Sequence, residues 1–392
     1  MDYQPRFTVI SGGTIYSPAP LGKKDVLIAA GVIALIDEQI EFSSSVPVER
    51  VDATGRMVLP GFIDLHVHVI GGGGEDGPGS RVPEIALDDL LSAGITTVVG
   101  VLGTDAITRS PESLLAKIKG LRAQGLTAYM YTGSYHVPSV TITGSVDRDI
   151  ALIEEVVGVK IAISDHRGSH PTLEELTRLA SLARVGGMLG KKPGIVHVHI
   201  GSAPAGLAPI LEVSQKSNIP LAQFLPTHVN RSQALLEQGA TLVKNGGYID
   251  LTAHATPDGG GTVDAIGALL DDDCDLSAVT ISSDGNGSMP SFNDAGELVG
   301  MKTGSVGVLH DSFTNLVRTE QLDIPTALGL FTANPAKRLG LATRKGIIAV
   351  GADADIIVVD EDFEIDKVYA RGIPLVDGGE TIIRKGLDSA GR

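Results

Sequence analysis

The middle of the chain repeats one pattern, in which an apolar run ends in polar residues or glycine and is followed by a stretch with helical periodicity. Short apolar runs are typical of buried strands, while apolar positions three and four residues apart predict amphipathic helices. Eight such strands alternating with helices indicate an α/β fold with a (β/α)8 barrel of the TIM type. The predicted strands are 62–68, 96–102, 127–131, 157–163, 195–200, 221–225, 248–254 and 278–282. The predicted helices include 82–93, 110–124, 147–156, 172–189, 205–217, 230–239 and 262–270.

Both ends of the chain have a different hydrophobic pattern: their apolar runs are shorter and are separated by glycine turns. The runs lie at 7–10, 26–28 and 32–36, and again at 346–359 and 365–369. Short runs between turn residues predict strands of a β domain. We therefore expect residues 1–55 and 344–392 to form one small β-sandwich domain, and residues 56–343 to form the barrel between them.

Composition narrows the class of protein. A chain of 392 residues with 43% hydrophobic content can bury a large core. A formal net charge of -16 argues against nucleic acid or an anionic membrane as a partner. Cys274 is the only cysteine, so no intrachain disulfide can form. No apolar run approaches the ~18 residues of a membrane span, and the first residues lead into no signal-peptide core. We expect a soluble, cytoplasmic protein.

Residues that can bind a metal ion occur at the ends of several predicted strands. Active sites of (β/α)8 barrels lie at the C-terminal ends of the strands, so these side chains are expected to converge. Side chains alternate along a strand, so His66 and His68 point to the same side and can reach one ion. The candidates are His66 and His68 on the first strand, Lys160 on the fourth, His199 on the fifth, His228 after the sixth and Asp284 after the eighth.

Several of these candidates also have simpler explanations. Lys160 is flanked by apolar residues, and burial would lower its pKa, but a lysine at a strand end can also extend its ammonium into solvent. His197 and His199 lie on one face, so spacing does not decide which is a ligand. Asp284 precedes a glycine and is also a residue type that begins turns. The remaining histidines are expected at the surface, behind the site or in the core; they are His136, His166, His170, His254 and His310.

Taken together, these residues resemble the binuclear metal site of the amidohydrolase superfamily, and the details resemble its peptidase family M38, which acts on isoaspartyl bonds. The resemblance covers essentially the whole chain, including the β domain. It implies that His66 and His68 bind one ion, that His199 rather than His197 binds the second ion with His228, and that Asp284 completes the site. It also implies that Lys160 is carboxylated and bridges two divalent ions. Zn²⁺ is favoured by ligand type and by the resemblance, and Co²⁺, Mn²⁺ or Ni²⁺ suit the same ligands.

The loops after the predicted strands contain candidate substrate-binding residues. Glu75 follows a glycine-rich loop at 71–74, and Arg167 and Arg231 follow the strands that carry Lys160 and His228. On loops, such charged residues are usually solvated, but two arginines beside a metal site also suit carboxylate recognition. The resemblance assigns Glu75 and Thr104 to a free α-ammonium, Arg167, Arg231 and Ser288 to a carboxylate, and Tyr135 to the scissile carbonyl oxygen.

The activity that the resemblance implies is hydrolysis of β-aspartyl dipeptides, left by protein degradation, to L-aspartate and a free amino acid. A hydroxide activated by two metal ions would attack, and Asp284 would transfer the proton. The alternatives are a cyclic amidohydrolase such as a dihydroorotase or hydantoinase, a deacylase of N-acyl amino acids, and a non-catalytic scaffold. A ring amide offers no α-ammonium for Glu75, and a scaffold is expected to lack some ligands. The resemblance also implies a homo-oligomer, with an octamer as one form.

Overall fold

The structure is a computed structural model and describes residues 7–41, 47–254, 261–292 and 298–382. The strands in chain order are β1 Phe7–Ser17, β2 Ala19–Ala29, β3 Val32–Asp37, β4 Val48–Asp52, β5 Met57–Pro60, β6 Phe62–Val67, β7 Ile95–Gly100, β8 Thr127–Gly133, β9 Val156–Ile163, β10 Ile195–Ile200, β11 Phe224–Thr227, β12 Ile249–Thr252, β13 Val279–Ser282, β14 Ser288–Phe292, β15 Leu298–Thr303, β16 Ile356–Val359, β17 Ile365–Ala370, β18 Ile373–Asp377 and β19 Glu380–Thr381. The α-helices are α1 Leu87–Ser92, α2 Pro111–Ala123, α3 Val146–Leu152, α4 Leu173–Gly190, α5 Ala208–Lys216, α6 Gln233–Lys244, α7 Thr262–Asp271, α8 Val308–Arg318, α9 Ile324–Phe331 and α10 Ala333–Arg338.

Strands β6 to β13 form the barrel. Strands β6 to β11 pair side by side in chain order as a parallel sheet, and β12 pairs parallel with β13. The ring closes where the His68 N–H donates to the Gly285 carbonyl at 2.9 Å, and the Thr227 hydroxyl joins β11 to Asp250 of β12 at 2.7 Å. The predicted (β/α)8 barrel is confirmed. Because the strands are parallel, their C-terminal ends all meet on one face.

Helices cover the outside of the barrel with their apolar faces inward. Helix α4 shows how the local sequence determines this: it begins after Thr172, whose hydroxyl accepts from the Glu175 N–H at 3.2 Å, while the Glu175 carboxylate accepts from the Thr172 N–H at 2.8 Å. Its buried residues recur at helical spacing, with Leu176, Leu179 and Ala183 facing the strands. In the parts of the chain that the structure describes, no helix combines the length and the hydrophobicity of a membrane span.

The two ends of the chain form one small β-sheet domain, as predicted. Its strands follow the order β19, β18, β17, β16, β5, β1, β2, β3, and β4 pairs with β1 on the side. Strand β5 lies between β1 and β16, so it joins the N-terminal strands to the C-terminal ones. This sheet therefore includes residues just after 55. The domain limits at 55 and 343 stay a prediction.

Some predicted elements differ from the structure. The helix predicted at 82–93 is wrong in its first half, because the Val82 N–H donates to the Gly72 carbonyl at 3.0 Å instead of entering a helix. The strand predicted at 221–225 begins as a 3-10 turn over Leu221–Gln223. Much of 346–359 is a turn, since Gly346 and Gly351 have positive φ, and only Ile356–Val359 is a strand. The β14–β15 hairpin and helices α8 to α10 are not among the predicted elements.

Candidate metal centre and substrate cavity

All six predicted metal ligands lie at the C-terminal end of the barrel. His66 and Lys160 are fully buried inside it, and His68, His199 and His228 are nearly so. The Nε2 atoms of His66 and His68 each lie 3.3 Å from Asp284 Oδ1. The structure therefore brings the ends of five different strands, β6, β9, β10, β11 and β13, to one cluster.

Two of the cluster residues follow their strands in a left-handed backbone conformation. His228 has φ 65° and Asp284 has φ 51°. Such a conformation costs about 1–3 kcal/mol for a residue with a side chain and persists only where the surroundings enforce it. His66, His228 and Asp284 offer ligand atoms that all lie within 4.8 Å of one another. The strained backbone thus accompanies an arrangement in which three ligand atoms can reach one ion.

The chemistry of the cluster fits a divalent metal. The Thr252 hydroxyl lies 2.6 Å from His228 Nδ1, and the other ring nitrogen, Nε2, is buried without a hydrogen-bond partner among the described residues. Buried polar atoms are rarely left unpaired, so an unpaired imidazole nitrogen beside a carboxylate suits a ligand. Burial lowers the pKa of His66 and of His228 well below the ordinary value, so both rings are neutral and keep a lone pair.

Lys160 lies inside the barrel and does not reach solvent. Its Nζ is 3.1 Å from His66 Nε2, and the side chain is fully buried. Burial lowers the pKa of Lys160 to about 7. A large fraction of this amine is therefore uncharged at neutral pH, which is the form that reacts as a nucleophile.

His197 and His199 both contact the cluster, at different depths. His197 Nε2 lies 2.9 Å from His66 Nδ1, and the His197 ring stacks on Tyr131. His199 borders the open cavity, with the Tyr135 hydroxyl 2.7 Å from its Nδ1 and Asp165 Oδ2 2.8 Å from its Nε2. Burial lowers the pKa of His199 to about 3, so this ring is also neutral. Spacing alone did not distinguish His197 from His199, but in the structure only His199 of the two borders the cavity.

A cavity of about 930 Å³ opens above the cluster. It contains all six predicted substrate-binding residues together with four of the predicted ligands. Its lining also includes polar residues that the sequence analysis did not select. The predicted residues in the lining are His68, Glu75, Thr104, Tyr135, Arg167, His199, His228, Arg231, Asp284 and Ser288. The others with ionisable or amide groups are Asp76, Asp105, Arg109, Asp165, His166, Asn230 and His254.

Glu75 is held inside this cavity and is not a solvated loop acid. The Ser288 hydroxyl donates to Glu75 Oε1 at 2.8 Å, and Arg167 Nη1 lies 3.6 Å from the same oxygen. The Thr104 hydroxyl donates to the Arg167 carbonyl at 3.2 Å, which ties the neighbouring loop to this group. An anion, a cation and a hydroxyl therefore lie side by side at one wall of the cavity.

Arg109 holds the glycine-rich loop that leads to Glu75. It is buried, and its guanidinium donates to the carbonyls of Gly72 at 2.8 Å and Val82 at 3.0 Å. Gly71 has a φ of 80°, and a Cβ added there would lie 1.9 Å from the Val82 carbonyl oxygen. Only glycine fits at that position. Arg109 was not among the predicted residues, because nothing near it in the chain indicates the loop that it contacts.

Asp165 was missed although a signal for it exists. It lies two residues after the end of β9 and two residues before Arg167, so the positional argument that selected Arg167 also applies to it. Burial alone would raise the pKa of Asp165, but hydrogen bonds from His199 and Arg167 hold it well below the ordinary value. The group is a carboxylate at any pH at which the protein is expected to work.

A barrel with nitrogen and oxygen ligands at its strand ends and a polar cavity above them is typical of metal-dependent hydrolases. The chain belongs to the amidohydrolase family, whose model matches residues 57–375. This family is metal-dependent, and the cluster of His66, His228 and Asp284 agrees with that property.

The similar proteins include a β-aspartyl dipeptidase and two enzymes named for cyclic substrates. The β-aspartyl dipeptidase of Fervidobacterium islandicum AW-1, solved in complex with a β-Asp-Leu dipeptide, is 44% identical with a TM-score of 0.90, over 97% of this chain and 100% of that one. A dihydroorotase of Listeria monocytogenes serotype 4a (strain HCC23) is 25% identical over 96% of this chain and 95% of its own. A dihydropyrimidinase of Brevibacillus agri NCHU1002, at 18% identity and a TM-score of 0.66 over 96% of both chains, shares the fold.

Proposed function

We propose that the protein hydrolyses β-aspartyl dipeptides and releases L-aspartate and a free amino acid. The observation that carries the proposal is the position of Glu75, Arg167 and Ser288 at one wall of the cavity above the ligand cluster. A β-linked aspartate presents a free α-ammonium and a free α-carboxylate, which an acid and an arginine can pair with by charge-assisted hydrogen bonds. Similarity to a dipeptidase crystallised with β-Asp-Leu supports the same substrate class.

Two divalent ions, with Zn²⁺ favoured, are proposed to bind to His66, His68, Lys160, His199, His228 and Asp284. When bound, they would lower the pKa of a water molecule toward about 7 and polarise the scissile carbonyl. We also propose that Lys160 is carboxylated: its neutral amine adds to CO2, a C–N bond forms, and one proton leaves to solvent. The lowered pKa of Lys160 supports this step, since only the free amine can add.

The other residues of the cavity are proposed to bind the substrate and move protons. Glu75 and Thr104 would hold the α-ammonium, and Arg231 would join Arg167 and Ser288 at the α-carboxylate. The Tyr135 hydroxyl would donate to the carbonyl oxygen as it gains negative charge. Burial raises the pKa of Tyr135 far above its ordinary value, so this hydroxyl keeps its proton and can donate it.

Asp284 is proposed to accept a proton from the attacking water and pass it to the departing amine. Replacing Asp284 with Asn removes the basic oxygen while keeping the shape, and we expect kcat for β-Asp-Leu to fall by about 10²- to 10⁴-fold. The melting temperature should change little, because the side chain is partly exposed. Turnover close to that of the wild type would exclude this role.

The first test is hydrolysis of β-Asp-Leu, α-Asp-Leu and dihydroorotate by the protein as purified, after chelation, and after Zn²⁺ and bicarbonate are restored. We expect cleavage of β-Asp-Leu alone, loss on chelation and recovery with metal. Cleavage of dihydroorotate alone would favour the second candidate function, a cyclic amidohydrolase, which similarity to dihydroorotases suggests. A cytoplasmic location and a homo-oligomeric assembly stay predictions from the sequence.

A further inference from the structure

Asp165 contacts both a candidate metal ligand and a candidate substrate-binding arginine. Its side chain is 4% exposed. Oδ2 lies 2.8 Å from His199 Nε2 and accepts from Arg167 Nη2 at 3.0 Å. Oδ1 accepts from the backbone N–H of Arg167 at 2.8 Å and from its Nε at 3.1 Å. Both oxygens are therefore used, and every partner belongs to the cavity wall.

The contact with Asp165 determines which nitrogen of His199 carries the hydrogen. A carboxylate can only accept, so the facing Nε2 must be the donor. The neutral ring then keeps its lone pair on Nδ1, where the Tyr135 hydroxyl lies 2.7 Å away as a donor. That lone pair is the one that a metal ion could use, and it faces the cavity that holds His228 and Asp284.

We propose that Asp165 is a positioning residue that couples the metal centre to substrate recognition. Through Oδ2 it holds His199 in the tautomer that presents Nδ1, and through both oxygens it fixes the Arg167 guanidinium beside Glu75. This inference rests on the metal centre proposed above. Histidine ligands generally donate their second N–H to such a partner, and its loss typically costs about 10- to 100-fold in metal affinity.

Asp165→Asn tests the proposal, because an amide of the same size cannot satisfy both neighbours. If its NH2 group faces His199, the histidine must accept at Nε2 and carry its hydrogen on Nδ1, which removes the lone pair from the site. If its oxygen faces His199, the NH2 group meets the donors of Arg167. We expect Zn²⁺ affinity at one of two sites to fall about 10- to 100-fold, measured by competition with a chromophoric chelator. L-aspartate affinity, measured by calorimetry, should fall as well.

Asp149→Asn is the matched control. Asp149 is fully buried and also accepts four hydrogen bonds, two from Thr143, one from Thr132 and one from the Ile142 N–H. None of these donor residues lines the cavity. This control should lower the melting temperature and leave Zn²⁺ affinity unchanged. The proposal is overturned if Asp165→Asn keeps both Zn²⁺ affinities, or if the control loses as much Zn²⁺ affinity as Asp165→Asn does.

A second variant keeps the inference testable even if Asp165→Asn does not fold. Arg167→Met leaves His199 its carboxylate acceptor, so Zn²⁺ affinity should stay within a few-fold while L-aspartate affinity falls. A large loss of Zn²⁺ affinity in Arg167→Met would contradict the separate roles of the two contacts.

A wild-type protein that binds Zn²⁺ but leaves β-Asp-Leu intact would contradict the substrate proposal alone, because the metal titration does not use the dipeptide. A wild-type protein that takes up no Zn²⁺ would overturn both.

Discussion

At the scale of single residues, the site combines histidines, a buried amine and a small number of fixed charges. Burial lowers the pKa of His66, His199 and His228, so these rings are neutral, and it also lowers the pKa of Lys160. A metal site requires this, since protonated nitrogens cannot bind an ion. The charges that remain are anchored: Glu75 by Ser288, and Arg167 by Asp165. A carboxylate and a guanidinium held by neighbours lose less side-chain entropy when a substrate binds.

Glu75→Gln tests the α-ammonium contact. The amide keeps a hydrogen bond but loses the negative charge, and hydrogen bonds to charged groups contribute about 1.5–3 kcal/mol. We therefore expect KM for β-Asp-Leu to rise about 10- to 100-fold while kcat changes less. The control is Asp76→Asn, which removes one negative charge from the same cavity next to Glu75. An equal rise in KM for both variants would show that the overall negative potential, and not the Glu75 contact, binds the ammonium.

At the scale of elements, the glycine-rich loop after β6 depends on a residue from a different loop. Arg109 gives the loop carbonyls the donors that a helix or strand would otherwise supply, which is how a loop without regular structure stays buried. The same guanidinium contacts Asp105 at 2.9 Å, so its own charge is paired. The position of Glu75 thus depends on long-range hydrogen bonds.

Arg109→Met should loosen this loop. Several buried carbonyl groups would lose their donor, and each unsatisfied group costs about 1–3 kcal/mol. We expect a lower melting temperature and a rise of about tenfold in KM for β-Asp-Leu, with metal content unchanged because Arg109 contacts no proposed ligand. Arg81→Met is the control, since Arg81 also approaches Asp105, at 3.9 Å, but its side chain is 38% exposed. If the Arg81 variant behaves like the Arg109 variant, the loop contacts are not the cause.

At the scale of the whole molecule, buried ion pairs join the small β domain to the barrel. Lys345 is 3% exposed; its Nζ lies 3.0 Å from Asp353 and 2.5 Å from Asp355, and it donates to Thr127 at the start of β8 at 2.6 Å. Asp355 also accepts from the Arg371 N–H at 2.7 Å, before β18. One ammonium therefore holds together the barrel and the strands that come from the C-terminal part of the chain.

Lys345→Met should be strongly destabilising. It leaves the buried Asp355 carboxylate without its cation and leaves Asp353 paired only with the exposed Arg344. Breaking a buried pair on one side costs about 3–5 kcal/mol. Arg344→Met is the matched control, because Arg344 also pairs with Asp353 but its side chain is 64% exposed, so about 1 kcal/mol or less is expected. Unfolding in denaturant compares the two free energies of unfolding. Similar values for both variants would contradict the importance of the buried pair.

Local sequence patterns were enough to predict the barrel and a metal-binding site at the ends of its strands. Short continuous apolar runs are typical of strands buried on both faces, so eight of them with helices between predicted the closed barrel and the face on which the ligands meet. The alternation of side chains predicted that His66 and His68 act together. These features depend on local periodicity, which is visible in any short window of the chain.

Contacts between segments that are far apart in the chain depend on the complete fold and were not predictable from sequence patterns. The hydrogen bonds of Asp165 with His199 and of Arg109 with the Gly72 carbonyl join residues far apart in the chain. The different depths of His197 and His199 likewise follow from contacts with distant residues, such as that of His197 with His66. The start of the helix predicted at 82–93 was wrong for the same reason, since Val82 pairs with the distant Gly72. Hydrogen-bond partners, tautomers and pKa values are set by which groups are neighbours in space, and periodicity carries no information about those neighbours.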